Sequence, residues 1–247
     1  MTKPCYDHAG IRIFLGDCRE ILPTLEPVDA MITDPPYGIS HKSSHGASWE
    51  GTEIQGDGCT TIRDWAWNQC KEKPRAAFGI SWKQRPPPDV RMTLIWNKGA
   101  AFGAGDLTIP WKPSWEEIYI GGKGWLGRRD EGVLCGPCEP SWESGPAHDG
   151  NGRKHPHQKP VWIMSRLIEK LPDAQTIIDP FCGSGTTLIA AKLLGKIAIG
   201  IEIEEKYAEI AARRLQQEVF DFGSRDRIAA EGLPERQEYG LDGEPTI

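Results

Sequence analysis

The chain has 247 residues, 38% of them hydrophobic and 26% charged, enough to bury one large core without disulfide staples. No apolar run approaches the ~20 residues of a membrane-spanning helix, and the opening MTKPCYDHAG has no apolar stretch of a secretory leader. Seven scattered cysteines are no disulfide framework, so a reducing cytoplasm is the expected setting. The net charge of −6 is uneven: residues 218–247 carry −5, leaving a nearly neutral body with basic patches at Lys123/Arg128/Arg129 and Arg153/Lys154/Lys159. A local basic field suffices to meet a phosphate backbone, so the overall acidity does not exclude nucleic acid.

In chain order, Ile11–Leu15 reads as a strand ending at Gly16-Asp17, and Arg19–Leu25 as a short helix stopped near Pro27. Val28–Thr33 is a second strand, cut off at Asp34-Pro35-Pro36-Tyr37, where two prolines forbid continuation. Residues 38–58 read as a long loop, a length that points to a functional lid or to disorder. Thr60–Lys73 is a predicted helix, and Ala76–Trp82, Met92–Trp96 and Glu116–Ile120 are predicted strands. Residues 123–158 are rich in Gly, Pro and charge, with little regular structure expected. Pro160 opens a helix over Val161–Leu171, closed by Pro172. Then follow a strand at Thr176–Ile178 ending at Asp179, a helix at Thr186–Leu194 with Gly195 behind it, a strand at Ile197–Ile203 and a helix at Glu205–Gln217. This last third is a βαβ unit, the building block of parallel sheets that bind ligands at the carboxyl ends of their strands. Residues 218–247 read as an acidic, loosely ordered tail behind a 1–217 domain, one whose truncation leaves folding intact.

Three strand ends carry the chemistry. In Asp179-Pro-Phe-Cys-Gly-Ser-Gly-Thr-Thr187, two glycines between strand and helix let the backbone approach a ligand. Leu188 stands where a dinucleotide fingerprint wants a third glycine, and the Gly-Lys-Ser/Thr of a P-loop is absent. A nucleoside-like ligand without pyrophosphate remains. Glu202, closing the next strand, suits two ribose hydroxyls, and Asp17 suits an adenine amino group, although either acid alone also serves as a helix cap or solvated turn. In Asp34-Pro35-Pro36-Tyr37 the bland reading is a strand terminator. The chemical one is a carboxylate and a prolyl carbonyl accepting from one exocyclic amino group, with Tyr37 as a stacking face.

Together with the HPHQKP segment (His155–Pro160), these motifs resemble the S-adenosylmethionine-dependent DNA amino-methyltransferases. The tetrapeptide precedes the cofactor glycines, an order similar to the circularly permuted β group, and the likeness runs from about Ile11 to Gln217. It implies an α/β fold: a Rossmann-like, mostly parallel class I methyltransferase sheet of seven strands in the order 3-2-1-4-5-7-6. It assigns Asp34, Pro35, Pro36 and Tyr37 to the target base. Asp179, Phe181, Gly183, Gly185, Thr186 and Thr187 fall against the methionine part of S-adenosylmethionine, Glu202 on the ribose, Asp17 with Cys18 at the adenine, and Lys159 on the cofactor carboxylate.

The implied reaction is direct methyl transfer to nitrogen, with Asp at position 34 pointing to adenine N6; cytosine N4 and an inactive DNA-binding relative are the alternatives. Double-stranded DNA is the expected partner and no membrane is; a homodimer is kept as an alternative to a monomer. Target recognition is expected within about 97–154, where Trp111, Trp115, Trp125 and Trp142 either touch DNA or fill a small core. Cys135 and Cys138, with His148, His155 and His157 downstream, are half a zinc site that the family does not require, so no metal is expected. The compact length without a nuclease domain points to an orphan, phage- or prophage-like enzyme.

Overall fold

The computed structural model describes residues 3–37, 59–81, 83–99, 108, 110–111, 114–136 and 158–217. Its spine is one nine-stranded sheet of β1 (Tyr6–His8), β2 (Ile11–Leu15), β3 (Ala30–Thr33), β4 (Arg75–Gly79), β5 (Met92–Asn97), β6 (Trp115–Gly121), β7 (Val133–Cys135), β8 (Thr176–Asp179) and β9 (Ile197–Glu202). The spatial order is β1-β2-β9-β8-β3-β4-β6-β5-β7. From β2 to β4 all neighbours run parallel, whereas β6 is antiparallel to both β4 and β5. Counted from β8 as the first strand, the seven from β2 to β5 stand in the expected order 3-2-1-4-5-7-6.

Two strands exceed the expected seven. β1 folds back on β2 through Ala9-Gly10, both at positive φ, the geometry of a tight two-residue hairpin. β7 pairs in parallel with β5 from a segment read as irregular; three residues with exposed Val133 are too short to show an alternation. β6 also lies within 97–154, and Ile118 and Tyr119 at its centre are fully buried, so that span is not wholly an insertion.

Among the described residues five helices cover the two faces: α1 (Cys18–Ile21), α2 (Thr61–Gln69), α3 (Val161–Ile168), α4 (Thr186–Leu193) and α5 (Glu205–Gln217). α1 is shorter than expected and passes into a 3₁₀ turn at Leu22–Thr24, with Pro23 inside it. α2 stops at Gln69 because the buried Arg75 guanidinium takes the carbonyls of Cys70, Lys71 and Lys73, while its other end pairs with Asp89 at 2.8 Å. Side-chain alternation along the strands divides the core. Ile32, Phe78 and Ile177 join Ile163, Met164, Leu167 and Leu188 on the α3–α4 side, whereas Met31, Ala77 and Ile178 meet Trp67 and Cys18 on the α1–α2 side. Residues 38–58, the cysteine–histidine candidates beyond Cys135, and 218–247 lie outside the described residues. Among the described residues no helix is long and apolar enough to cross a membrane.

Gly185 fixes how α4 leaves the sheet. Its φ is +83°, and a Cβ there would stand 2.9 Å from the Cβ of Ala211 on α5. Gly185→Ala combines left-handed strain with overpacking and should cost about 1–3 kcal/mol in urea unfolding. An unchanged midpoint would show that α5 yields without loss.

Candidate active site

Parallel pairing places the carboxyl ends of β2, β9, β8 and β3 side by side, and with them Asp17, Glu202, Asp179 and Asp34. The register sets Leu15 opposite Glu202, and the Gly16 amide donates to the Glu202 carbonyl at 2.8 Å. The Glu202 carboxylate accepts from the amides of Gly183 and Glu204, each at 2.8 Å. Burial raises its pKa, and these backbone donors oppose the rise. Glu202 therefore anchors the glycine turn directly.

Gly183 and Gly185 both have positive φ, and the Gly185 amide closes the turn on the Cys182 carbonyl at 2.7 Å. Ser184 donates to Gln158 at 3.4 Å, joining the turn to the HPHQKP segment. Arg214 of α5 braces the same turn, donating to the Ser184 carbonyl at 2.6 Å. Asp179, 2% exposed, accepts from the Thr33 hydroxyl at 2.6 Å and the Phe181 amide at 3.1 Å. Burial lifts its carboxyl to about 6 despite the Thr187 and Thr33 hydroxyls, and the nearby Asp34 charge adds to the rise. Two acids at adjoining strand ends, with glycine backbone between them, suit a ligand that is cationic and carries a ribose. The donor set fits S-adenosylmethionine.

Asp17 and Cys18 are placed differently from Glu202. Asp17 caps α1 through the Arg19 amide at 2.8 Å, and both its oxygens also meet the Arg19 guanidinium. Arg19 is largely exposed and its ion pair is a weak surface one, so the carboxylate is freed at little cost. Cys18 is buried against Phe14 and Ile21, and burial lifts its thiol to about 12.

Asp34 meets Lys159 across 125 residues of chain, and the Tyr37 ring lies beside the same ammonium. The Lys159 ammonium lies 2.7 Å from Asp34 Oδ2 and 3.3 Å from Glu116 Oε2. The Tyr37 hydroxyl stands 3.0 Å from both Asp34 Oδ1 and Glu116 Oε2. Lys98 pairs with the other Glu116 oxygen. Burial pushes the Asp34 carboxyl up and Glu116 adds to this, against Lys159 and Tyr37. At Glu116 burial is outweighed by Lys159 and Lys98, which pull it down to about 2. Lys159, assigned by resemblance to the cofactor carboxylate, is thus held between two protein carboxylates.

Glu116, Lys98 and Arg214 carry no motif and were not singled out in the sequence. The available signal was Glu116-Glu117 inside an otherwise apolar strand, where alternation must turn one acid inward on each face. Glu117 duly sits on the opposite side, accepting from the Ser81 amide and hydroxyl and from Tyr119. Of the recognition tryptophans, Trp125 packs against the core and donates to the Gly121 carbonyl, Trp111 is 76% exposed, and Trp142 lies outside the described residues.

Strand order and helix placement are those of the class I, S-adenosylmethionine-dependent methyltransferases. The DNA methylase family, named for adenine N6 and cytosine N4, matches residues 51–213, and the chain belongs to it. The match begins after the Asp34 tetrapeptide. A methylase of Escherichia coli (strain K12), YubD, is 28% identical over 218 residues, covering 83% of this chain and 89% of its own. The M1.HpyAVI–SAM complex superposes with a TM-score of 0.55 at 23% identity, covering 83% of this chain and 99% of that one. The cytosine-N4-specific PvuII DNA methyltransferase gives a TM-score of 0.64 at 15% identity, covering 89% and 93%.

The raised Asp179 carboxyl has a cost that can be measured. The fold favours its protonated form, so its contribution to stability is complete below the usual carboxylate range and is lost as pH rises through about 6. Asp179→Asn should remove this loss, worth about 2–3 kcal/mol, from the difference between urea unfolding at about pH 4 or below and at neutral pH. Identical pH dependence in wild type and variant would return the Asp179 carboxyl to the ordinary range.

Proposed function

We propose that this DNA methylase transfers the methyl group of S-adenosylmethionine to N6 of adenine in double-stranded DNA, as a member of the circularly permuted β group. The observation that carries the reading is the Asp34 carboxylate, set at the end of β3 beside the Asp179 strand and the glycine turn. The chain order of tetrapeptide, HPHQKP segment and glycine turn supports the grouping.

In this reading Asp179, Phe181, Gly183, Gly185, Thr186 and Thr187 surround the methionine part of the cofactor, Glu202 takes the ribose hydroxyls, and Asp17 with Cys18 lines the adenine. The cofactor supplies an electrophilic methyl on a sulfonium. Asp34 and the Pro35 carbonyl accept the two hydrogens of the target amino group, which draws its lone pair out of the ring and directs it at that methyl. The methyl would pass to the nitrogen as its bond to sulfur breaks, and Asp34 would accept the proton that the nitrogen sheds before passing it to water. Tyr37 offers its ring to the extruded base. Preorganised acceptors and proximity supply the acceleration, with no covalent enzyme intermediate.

The likeness to a cytosine-N4-specific enzyme favours cytosine N4 as the second reading. Mass spectrometry of nucleosides from DNA methylated by the purified protein separates the two: N6-methyladenine supports the first, N4-methylcytosine replaces it. Asp34→Ala should lower single-turnover methyl transfer about 100- to 1000-fold while cofactor affinity changes far less. Wild-type turnover in that variant would refute the assignment. Glu202→Ala should weaken S-adenosylmethionine by about 1–3 kcal/mol in calorimetry, because ribose hydroxyls lose their acceptor. Unchanged affinity would remove Glu202 from the cofactor site.

A further inference from the structure

Both Asp34 oxygens already have a donor in reach. Tyr37 donates to Oδ1 at 3.0 Å and Lys159 to Oδ2 at 2.7 Å. A target amino group drawn to this carboxylate competes with these donors, and a buried ammonium stripped of its acceptor would be costly. The structure supplies a second acceptor for both. Glu116 Oε2 lies 3.3 Å from the same Lys159 nitrogen and 3.0 Å from the same Tyr37 hydroxyl. Lys159 is itself only 8% exposed at its side chain, which leaves it little room to retreat anywhere else.

We propose that Glu116 is a positioning residue of the methyl transfer: it receives Lys159 and the Tyr37 hydroxyl when Asp34 gives them up to the amino group of the target base. The inference rests on the reading that Asp34 accepts that group. The exchange moves donors by a fraction of a side-chain rotation and changes no net charge, because Asp34, Glu116, Lys98 and Lys159 sum to zero. Glu116 is suited to the part. Strand alternation fixes its direction, and Lys98 on its other oxygen holds it as an anion. The groups facing it are Asp34 and Tyr37 beyond β3, Lys98 beyond β5 and Lys159 ahead of α3, with Asp179 of β8 acting on the cluster through Asp34.

Two variants should move the reaction in opposite directions. In Glu116→Gln, Lys159 keeps only Asp34 as a charged acceptor, so it competes with the target amino group and stabilises the Asp34 anion. Single-turnover transfer from labelled S-adenosylmethionine to unmethylated genomic DNA should fall about 10- to 100-fold, the scale of a misplaced reacting group. The acid limb of its pH–rate profile should shift to lower pH. Glu116→Asp, which restores the charge at shorter reach, should recover part of both. In Lys98→Met, Glu116 loses its other cation and pulls harder on Lys159, so the acid limb should shift to higher pH. Lys98 is partly exposed, and this variant carries the test alone if Glu116→Gln fails to fold. A shift of the limb in the same direction in both variants, or in neither, overturns the proposal. So does a Glu116→Gln loss confined to cofactor affinity. Asp34→Ala, run in parallel, separates the two levels. If it transfers methyl at the wild-type rate, the reading of Asp34 fails; if it is inactive while Glu116→Gln keeps wild-type rate and profile, only the inference about Glu116 fails.

Discussion

Two largely buried carboxylates, Asp34 and Glu116, share one ammonium, and much of the site is arranged around that arithmetic. Like charges this close repel, and each loses hydration on burial. Lys159 between them and Lys98 beyond bring the group to neutrality. Such a cluster is not a source of stability by default, since desolvation consumes most of the Coulomb gain; removing one partner, however, leaves an uncompensated buried charge costing about 3–5 kcal/mol. The same balance that makes the cluster fragile makes it responsive, because Lys159 and the Tyr37 hydroxyl each have two acceptors in reach.

The second constraint is the glycine turn. Glu202 holds the Gly183 amide, Arg214 holds the Ser184 carbonyl, and Gln158 meets the Ser184 hydroxyl, so the loop is braced from β9, α5 and the HPHQKP segment at once. A turn fixed on three sides presents its backbone to a ligand without an ordering cost at binding. Asp179 beneath it remains a carboxylate in a place that penalises one, with its carboxyl raised to about 6. A residue kept at the expense of stability at a strand's carboxyl end is what a site for a cationic ligand requires.

A hydrogen bond between two strand ends ties these two halves together. Thr33, the last residue of β3, donates to Asp179, the last of β8, and Asp34 follows immediately. At the opposite end of the same two strands Asp29 accepts from the amides of Gln175 and Thr176. The β3–β8 pair is therefore pinned at both ends, and the base side and cofactor side cannot slide past each other.

Motifs and breakers were legible in the chain itself. Prolines after Asp34, glycines after Asp179 and an apolar run up to Glu202 mark strand ends by local sterics alone, and the helices from Val161 onward follow from periodicity. Their order along the chain also announced the family and its seven-strand arrangement. What local patterns could not carry was partnership. Glu116 and Lys98 are ordinary charged residues until β6 inserts between β4 and β5 and turns one of two adjacent acids toward Asp34. Lys159 lies in a recognised segment, yet its ion pair spans 125 residues, a separation no periodicity encodes. β1 escaped notice because three residues in a hairpin are stabilised by the edge they join, and β7 for the same reason. The sequence determined the longer elements and the strand ends that carry the motifs; tertiary packing decided the short edge strands and which charges meet, because both depend on strand order in space.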